Sequence, residues 1–183
     1  MKRCAWVNIN NPLYVDYHDN EWGKLHTSDS YLLEMLILES FQSGLSFECV
    51  LNKREAFRKA YDNFNIDKII NYDEDKINNL LINKDIIRHK QKIIASINNA
   101  KIFKTISDEY HGFINYLYSY CPNIIYENKL TKSTLSDTIS NDLKKRGMKF
   151  IGSTTIYSYL QAIGLIVSHD ENCFLNNKKQ LWI

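Results

Sequence analysis

Two cysteines and two histidines near opposite ends of the chain have the chemistry of a metal site. Cys4 and His18 lie near the start of the sequence, and His169 and Cys173 lie near its end. Three residues separate His169 from Cys173, so both side chains can face the same way over one helical turn. Two thiolates and two imidazoles form a closed tetrahedral zinc site of the structural kind, with no open position for water. Such a site would join the two terminal segments.

The alternative is that Cys4 is an ordinary thiol near the terminus and His169 a surface residue. Spacing alone does not decide between these interpretations, because the two halves of the set are unrelated in sequence. Cys49 and Cys121 lie in otherwise apolar helical patterns, which is typical of packed and unreactive thiols.

A carboxylate within a strongly apolar segment is the second chemical candidate. The segment Tyr31–Phe47 is apolar at every position from Leu32 to Leu38 except Glu34. A helix that is hydrophobic nearly all round is a buried central helix. Glu39 lies near the end of this helix and Gly44 follows it, so we predict that Glu39 lies in the wall of a pocket. The alternative is that Glu39 caps a helix or pairs with a basic residue.

Aromatic side chains are concentrated near the start of the chain, where they alternate with polar residues. The aromatic residues concerned are Trp6, Tyr14, Tyr17 and Trp22. Packing in a core is the commoner fate of clustered aromatics. The polar residues between them, in the stretch YHDNEWG, favour the edge of a pocket instead.

Length and charge limit the class of protein. With 183 residues the chain can form one sizeable core or two small lobes. The formal net charge of +2 means that any affinity for nucleic acid must come from local basic patches. The first residues lack the apolar run of a signal peptide, and no stretch approaches the roughly 18 apolar residues of a membrane span. We therefore expect a cytoplasmic protein without disulfides.

The apolar periodicity predicts an all-α protein. A central helix is predicted to follow Ser28 and Asp29, which are its N-cap candidates, and to end at Gly44. Residues 1–27 are predicted to be irregular, with the stretch NNP as a turn, and only 124–126 is expected to be extended. Further helices are predicted over 47–61, 66–70, 73–82, 87–103, 108–120, 136–146 and 153–163.

Six segments together resemble the 3-methyladenine DNA glycosylase I (Tag) family of the helix–hairpin–helix DNA glycosylase superfamily. They are RCAWV at 3–7, PLYVDYHDNEWG at 12–23, LLEMLILES and GLSF within 32–47, IIRHKQKI at 86–93, and LKKRGMKFIGSTTIYSYLQAIGL at 143–165. The resemblance implies a single all-α unit over 1–174 with two lobes, a helix–hairpin–helix at about 75–103, and a tail over 175–183.

The resemblance also implies a cofactor, a reaction and a partner. One structural Zn²⁺ would be held by Cys4, His18, His169 and Cys173. The reaction would be monofunctional hydrolysis of the N-glycosidic bond of 3-methyladenine, flipped out of double-stranded alkylated DNA, which leaves an abasic site. The protein would act as a monomer and without a membrane. The alternative is a non-catalytic zinc-stabilised helix–hairpin–helix DNA-binding module, and a glycosylase for another lesion is a third possibility.

The base pocket implied by the resemblance combines aromatic rings with one carboxylate. The rings would come from Trp6, Tyr17, Trp22 and Phe47, with Tyr14 nearby, and Glu39 would bond the polar edge of the base. Phe47 departs from the family pattern, which usually has tryptophan at this position. We expect the smaller ring to stack on the base and to preserve activity.

Two regions are predicted to contact DNA. Arg88, Lys90 and Lys92 form a basic patch at the start of the second hairpin helix, although the usual hairpin glycines are absent. The loop at Gly44 and Leu45 resembles the position from which the family inserts an apolar side chain into the duplex. The alternatives are a solvated helix face for the basic patch and ordinary core packing for Leu45.

Overall fold

The computed structural model describes residues 1–127 and 130–176, which form ten α-helices and two short strands. The all-α prediction is confirmed. Most of the predicted tail, including Trp182, lies outside the described residues. The helices are α1 Pro12–Asn20, α2 Asp29–Gln42, α3 Phe47–Leu51, α4 Arg54–Ala60, α5 Ile66–Ile69, α6 Glu74–Ile82, α7 Lys90–Tyr110, α8 Phe113–Tyr120, α9 Thr134–Lys145 and α10 Ser153–Ala162. The strands are β1 Ile125–Tyr126 and β2 Ile166–Val167, and a 3-10 turn covers Asp62–Phe64.

Helix α2 is the central element of the core, as its sequence predicts. It begins after the N-cap Ser28, and every residue from Leu32 to Phe41 is buried. Helices α3, α7, α8 and α10 all pack against it. Because apolar neighbours surround α2, its sequence can be hydrophobic nearly all round. The chain leaves the helix through Gly44, whose φ of +85° suits glycine.

The prediction that residues 1–27 are irregular is wrong, because α1 lies within them. Asn11 caps this helix by accepting the N–H of Leu13, and Pro12 occupies its first turn. Proline is favoured there because the missing N–H would have no partner within the helix. The NNP stretch is therefore a helix start and not a turn. One face of α1 is directed inward and buries Tyr14, Tyr17 and His18.

The second helix of the predicted hairpin begins later than expected, at Lys90 and not at Ile87. His89 has an extended backbone and acts as the N-cap, because its Nδ1 accepts the N–H of Lys92 at 3.2 Å. Ile86 is buried and holds the connection between α6 and α7 against the core. The connection is thus longer and less helical than its sequence predicts.

Helix α7 also extends further than predicted, to Tyr110. The break occurs where His111 has a φ of +57° and Gly112 a φ of +124°. Glycine adopts this backbone without steric cost, so the helix ends here. The predicted helix over 108–120 consequently begins only at Phe113.

The predicted helix over 47–61 is divided into α3 and α4. Ser46 caps α3, and the chain turns at Asn52 and Lys53. Arg54 then begins α4, and its Nε donates to Oε1 of the buried Glu34 at 2.6 Å. This ion pair accounts for the one charged residue between Leu32 and Leu38 in the apolar segment.

The segment after α1 is held against the end of α10. The N–H of Gly23 donates to the carbonyl of Gln161, and the N–H of His26 donates to that of Ile163. Gly164 has a φ of +80°, and a Cβ there would lie 2.2 Å from the carbonyl carbon of Lys24. This close approach brings the N-terminal aromatic residues beside the C-terminal part of the chain.

Strands β1 and β2 form one short parallel pair, with Ile125 opposite Ile166. The extended stretch predicted at 124–126 is confirmed in β1, whereas its partner strand was not predicted. The pairing directs the chain after β2 toward the N-terminal segment. Within the described residues, no helix is long and apolar enough to cross a membrane.

Candidate active site and metal centre

The four predicted metal ligands form one buried cluster. The ligand atoms of Cys4, His18, His169 and Cys173 all lie within 4.8 Å of one another. The Sγ of Cys4 is 3.5 Å from Nδ1 of His169, and the Sγ of Cys173 is 3.5 Å from Nε2 of His18. Tetrahedral zinc, with bonds of about 2.3 Å to sulfur and about 2.0 Å to nitrogen, places neighbouring ligand atoms about 3.5 Å apart. The donor set therefore fits a metal ion of this kind.

A second layer of hydrogen bonds orients the cluster. Asp19 accepts from Nδ1 of His18 at 2.8 Å and from Nη2 of Arg3 at 2.6 Å. The bond from Arg3 lowers the pKa of Asp19 to about 2, so this carboxylate is ionised. With Nδ1 bonded to Asp19, Nε2 is the ring nitrogen of His18 that faces the cluster. The N–H of Asp170 points at Sγ of Cys4 from 3.3 Å.

Burial keeps two of the four ligands uncharged when no cation is present. It raises the pKa of the Cys4 thiol to about 12 and lowers the pKa of His169 to about 4. A bound cation reverses this preference for cysteine, because it stabilises the thiolate. The cluster can therefore hold a metal ion, and its protonation would change on binding.

A cavity of about 300 Å³ opens beside the cluster, with an aromatic wall. The ring of Trp6 contacts those of Trp22 and Tyr14, with centroids 4.9 and 5.2 Å away. Tyr17 and Phe47 lie against each other at 5.0 Å. Trp6 is 37% exposed, which places it at the mouth. All six residues predicted for the base site line this cavity: Trp6, Tyr14, Tyr17, Trp22, Glu39 and Phe47.

The aromatic wall and the Cys–His cluster share a contact. The ring of Trp22 meets that of His169 edge-on, with centroids 4.8 Å apart. Trp6 also lies 5.3 Å from the ring of His18. The positions of both tryptophans are thus tied to the geometry of the cluster behind them.

Glu39 is the one buried carboxylate in the cavity wall. It is 4% exposed, and its Oε2 has no hydrogen-bond partner among the described residues. Burial raises the pKa of Glu39 from 4.5 to about 8. The alternative of a structural ion pair describes Glu34 instead, which binds Arg54 and Arg58. Glu39 therefore offers a free acceptor oxygen to whatever occupies the cavity.

A polar wall faces the aromatic one and was not predicted. Ser158 and Gln161 come from α10, and Ser168 and Asp170 come from the stretch between β2 and Cys173. Gln42 and Leu130 complete the lining. The spacing of Ser158 and Gln161, one helical turn apart, is a signal that could have identified them. The position of Ser168 depends on the unpredicted strand pair, so sequence patterns carried no sign of it.

The loop after α2 lies at the entrance of this cavity. Gly44 and Leu45 border a shallow groove that Glu39 and Gln42 share with the main cavity. Leu45 is 42% exposed, so it is not an ordinary core residue. An exposed leucine on a glycine loop is available for contact with a ligand outside the cavity.

The predicted basic patch is only partly on the surface. Arg88 and Lys90 are exposed at the start of α7. Lys92 is 7% exposed, and its Nζ donates to the carbonyls of Phe41 and Ser43. The side chain of Lys92 is thus directed into the protein, and the patch is smaller than its sequence suggests.

Comparisons with known proteins agree with this arrangement. The family model described as methyladenine glycosylase matches residues 6–176. DNA-3-methyladenine glycosylase 1 of Escherichia coli is 39% identical over 180 residues, which cover 94% of this chain and 96% of that protein. A crystal structure of 3-methyladenine DNA glycosylase I matches with a TM-score of 0.91 and 38% identity, over 96% of this chain and 100% of the other.

A further match is a Staphylococcus aureus structure described as the structural basis of 3-methyladenine recognition by 3-methyladenine DNA glycosylase I. Its TM-score is 0.90 at 31% identity, over 96% of this chain and 97% of that one. Residues 6–176, which the family model matches, include α2, α7, the residues that line the cavity and three of the four cluster residues, His18, His169 and Cys173. The chain belongs to the methyladenine glycosylase family.

Proposed function

We propose that this protein hydrolyses the N-glycosidic bond of 3-methyladenine in alkylated double-stranded DNA and leaves an abasic site. The observation that carries the proposal is the buried carboxyl group of Glu39, which faces an aromatic cavity with one oxygen unpartnered. The relatives described above, named for 3-methyladenine, support this choice of substrate.

The chemistry of the lesion suits a site without a strong acid. Methylation at N3 gives the base a positive charge while it is still bonded to deoxyribose. The base then leaves as a neutral molecule, so no proton from the protein is needed to expel it. The remaining tasks are to flip the nucleotide out of the duplex and to bind the lesion selectively.

The cavity supports selectivity for a cationic base. Electron-rich rings attract a cation by about 1–2 kcal/mol each when the contact is desolvated, and Trp6, Tyr17, Trp22 and Phe47 offer such rings. The carboxylate of Glu39 attracts the charged base and accepts a hydrogen bond from its polar edge. Neutral adenine gains neither charge interaction, so the same contacts serve selection and catalysis.

We also propose that the Cys–His cluster holds one structural zinc ion. The donor types and their separations support zinc over harder cations, which prefer oxygen ligands. When bound, the ion supplies a fixed link between the two terminal segments. That link supports the interpretation of residues 1–174 as a single folded domain.

The DNA-binding element in this proposal is a helix–hairpin–helix formed by α6, the connection 83–89 and α7. The positive end of the helix dipole at the start of α7 suits a phosphate, and Arg88 and Lys90 are exposed there. Leu45 would fill the space left by the flipped nucleotide. A monomeric state and a cytoplasmic location stay predictions.

The second candidate function is DNA binding without catalysis. It is favoured by Phe47, because the family usually has tryptophan at this position. The ring of Phe47 lies 5.0 Å from that of Tyr17, so phenylalanine also provides an aromatic wall there. The unpartnered carboxyl group of Glu39 favours catalysis. Burying such a group costs folding free energy, and a module that only binds DNA would gain nothing in return.

Analysis of abasic sites tests the proposal. A methylated duplex is incubated with the protein, and half of each sample is then heated in alkali. Relative to a sample without protein, a monofunctional glycosylase adds strand breaks only in the alkali-treated half. Added breaks without alkali would contradict the monofunctional mechanism, and no added breaks in either half would favour the binding module.

A further inference from the structure

Lys92 is a buried cation that sits at the end of the central helix. Its Nζ donates to the carbonyl of Phe41 at 2.8 Å and to the carbonyl of Ser43 at 2.7 Å. The carbonyls at the C-terminal end of a helix lack partners within the helix and carry partial negative charge. Lys92 therefore supplies the C-terminal cap of α2 from another helix, α7.

The capped carbonyls belong to the segment that forms the entrance of the cavity. Ser43 has a non-helical backbone, with φ of −46° and ψ of +113°, and Gly44 follows with a φ of +85°. A Cβ on Gly44 would meet no atom within 4 Å among the described residues. Packing around Gly44 thus does little to hold the loop, whereas Lys92 bonds its first residue directly.

The same loop presents the groups that would meet DNA. The N–H of Leu45 donates to the carbonyl of Gln42 at 2.6 Å, which completes a turn, and the side chain of Leu45 is exposed. Glu39 lies one helical turn before Gln42 in α2. A shift of this turn would move the exposed leucine relative to the cavity.

Lys92 also belongs to the helix start that carries the exposed basic residues. Its own N–H donates to the N-cap His89, and Lys90 precedes it by two residues. The ring of Phe150, whose φ is +57°, covers the ammonium group at 6.0 Å. One side chain thus joins the start of α7 to the loop of residues 43–45.

We propose that Lys92 is a positioning residue, which fixes the 43–45 loop relative to the start of α7 so that a nucleotide can be held outside the duplex. This inference rests on the proposed function. It replaces the sequence-based interpretation of Lys92 as a phosphate contact, which its burial and its two carbonyl partners oppose.

The test compares Lys92→Met with Lys90→Met, an exposed neighbour in the same helical turn. Each protein acts on two duplexes with the same methylated strand. In one duplex thymine lies opposite the methylated adenine, and in the other an abasic-site analogue does. Nucleotide extrusion costs less in the second duplex because no base pair must be broken.

For Lys92→Met we expect the single-turnover excision rate to fall at least tenfold on the thymine-paired duplex and less than threefold on the other. Affinity for free 3-methyladenine, followed by tryptophan fluorescence, should stay within twofold. The slope of log affinity for DNA against log salt should not change. Lys90→Met should reduce that slope by about one and affect both duplexes equally, as expected for one phosphate contact.

Three results would overturn the proposal. They are an unchanged excision rate, an equal loss on both duplexes with weaker binding of free base, and a salt slope reduced by about one. If Lys92→Met does not fold, Lys92→Gln takes its place, with the same expectations.

Hydrogen exchange in the absence of DNA gives a readout that does not depend on activity. Loss of the Lys92 contacts should speed exchange at the Leu45 amide at least tenfold, while amides in the middle of α7 keep wild-type rates. If exchange at Leu45 is unchanged in Lys92→Met, the role of Lys92 is contradicted and the proposed function is not. If the wild-type protein excises nothing, the proposed function is contradicted, whatever the exchange rates are.

Discussion

At the scale of single residues, Glu39 is a group whose environment opposes its own charge. It has no basic partner among the described residues, and burial alone accounts for its pKa of about 8. A cationic base in the cavity would lower that pKa again, because opposite charges favour the ionised form. The carboxylate is thus stabilised best by a cationic ligand, which is the kind of ligand that the proposed function requires.

The pH dependence of excision follows from the raised pKa of Glu39. If the carboxylate is the active form, kcat/KM should rise with pH and level off above about 8, because this ratio reports groups in the free enzyme. Glu39→Gln should lower kcat/KM at least tenfold and flatten the rise. Rates between pH 5.5 and 9 would check this, with Glu55→Gln as a control that removes an exposed carboxylate. A wild-type slope in Glu39→Gln would remove Glu39 from the mechanism.

The same substitution should stabilise the protein. The folded pKa of Glu39 lies above its ordinary value of 4.5, so the native state holds a proton that the unfolded chain has lost at neutral pH. Its favourable contribution is complete below about pH 4.5 and is lost as the pH rises through about 8. Urea unfolding at pH 9 should therefore show Glu39→Gln to be more stable by roughly 2–4 kcal/mol, with little difference at pH 4. If Glu39→Gln and the wild type have the same free energy of unfolding at pH 9 as well as at pH 4, burial does not raise the pKa of Glu39.

Residue types pointed to part of one wall of the site, and the family resemblance assigned that wall to a base pocket. Aromatic rings among polar residues singled out Trp22, and a carboxylate in an apolar helix singled out Glu39, whereas Phe47 was assigned by the resemblance alone. Serine and glutamine occur on most helix surfaces, so the one-turn spacing of Ser158 and Gln161 was a weaker signal than the residue types of the aromatic wall. Lys92 was assigned to the wrong environment, because nothing in a run of basic residues distinguishes a buried lysine from an exposed one.

At the scale of elements, the agreement between sequence and structure depends on the strength of the local signals. Helix α2 has a serine cap, a long apolar run and a terminal glycine, and its predicted limits are close to those observed. Helix α1 is short and polar, and its only strong signal is Asn11 followed by Pro12. The pairing of β1 with β2 depends on residues distant in sequence, so periodicity could not predict it.

The contact between the N-terminal segment and α10 can be tested by a pair of glycine substitutions. Gly164 and Gly44 have φ values of +80° and +85°, so alanine is strained by about 1–2 kcal/mol at either position. At Gly164 the new Cβ would also lie 2.2 Å from backbone atoms of Lys24, whereas at Gly44 it meets open space. Gly164→Ala should therefore destabilise the fold by at least about 2 kcal/mol more than Gly44→Ala in urea unfolding. An equal loss of unfolding free energy in the two variants would mean that the N-terminal segment and the end of α10 separate at little cost.

At the scale of the whole molecule, the Cys–His cluster joins parts of the chain that are far apart in sequence. Cys4 and His18 come from the N-terminal segment, and His169 and Cys173 follow β2. The rings of Trp6 and Trp22 lie directly against the two histidines. The cluster therefore contributes to the shape of the cavity as well as to the connection of the termini.

Substitution of Cys173 tests whether the Cys–His cluster holds a metal ion that stabilises the fold. Cys173→Ser should bind less than one tenth of the wild-type zinc and lower Tm by at least about 8 °C, because loss of a structural metal removes folding free energy. Cys49→Ser, which changes a cysteine outside the cluster, should keep both values near those of the wild type. Metal analysis and thermal unfolding provide the data. A metal-free Cys173→Ser protein with wild-type Tm would show that the cluster does not stabilise the fold.

We propose above all that the cavity formed by Glu39 and the aromatic residues binds and excises a cationic adenine. The most direct measurement is chromatography of the free bases released from DNA treated with a methylating agent. We predict release of 3-methyladenine with little 7-methylguanine, and at least tenfold slower release by Glu39→Gln. Folded, metal-loaded wild-type protein that releases no 3-methyladenine would contradict the account.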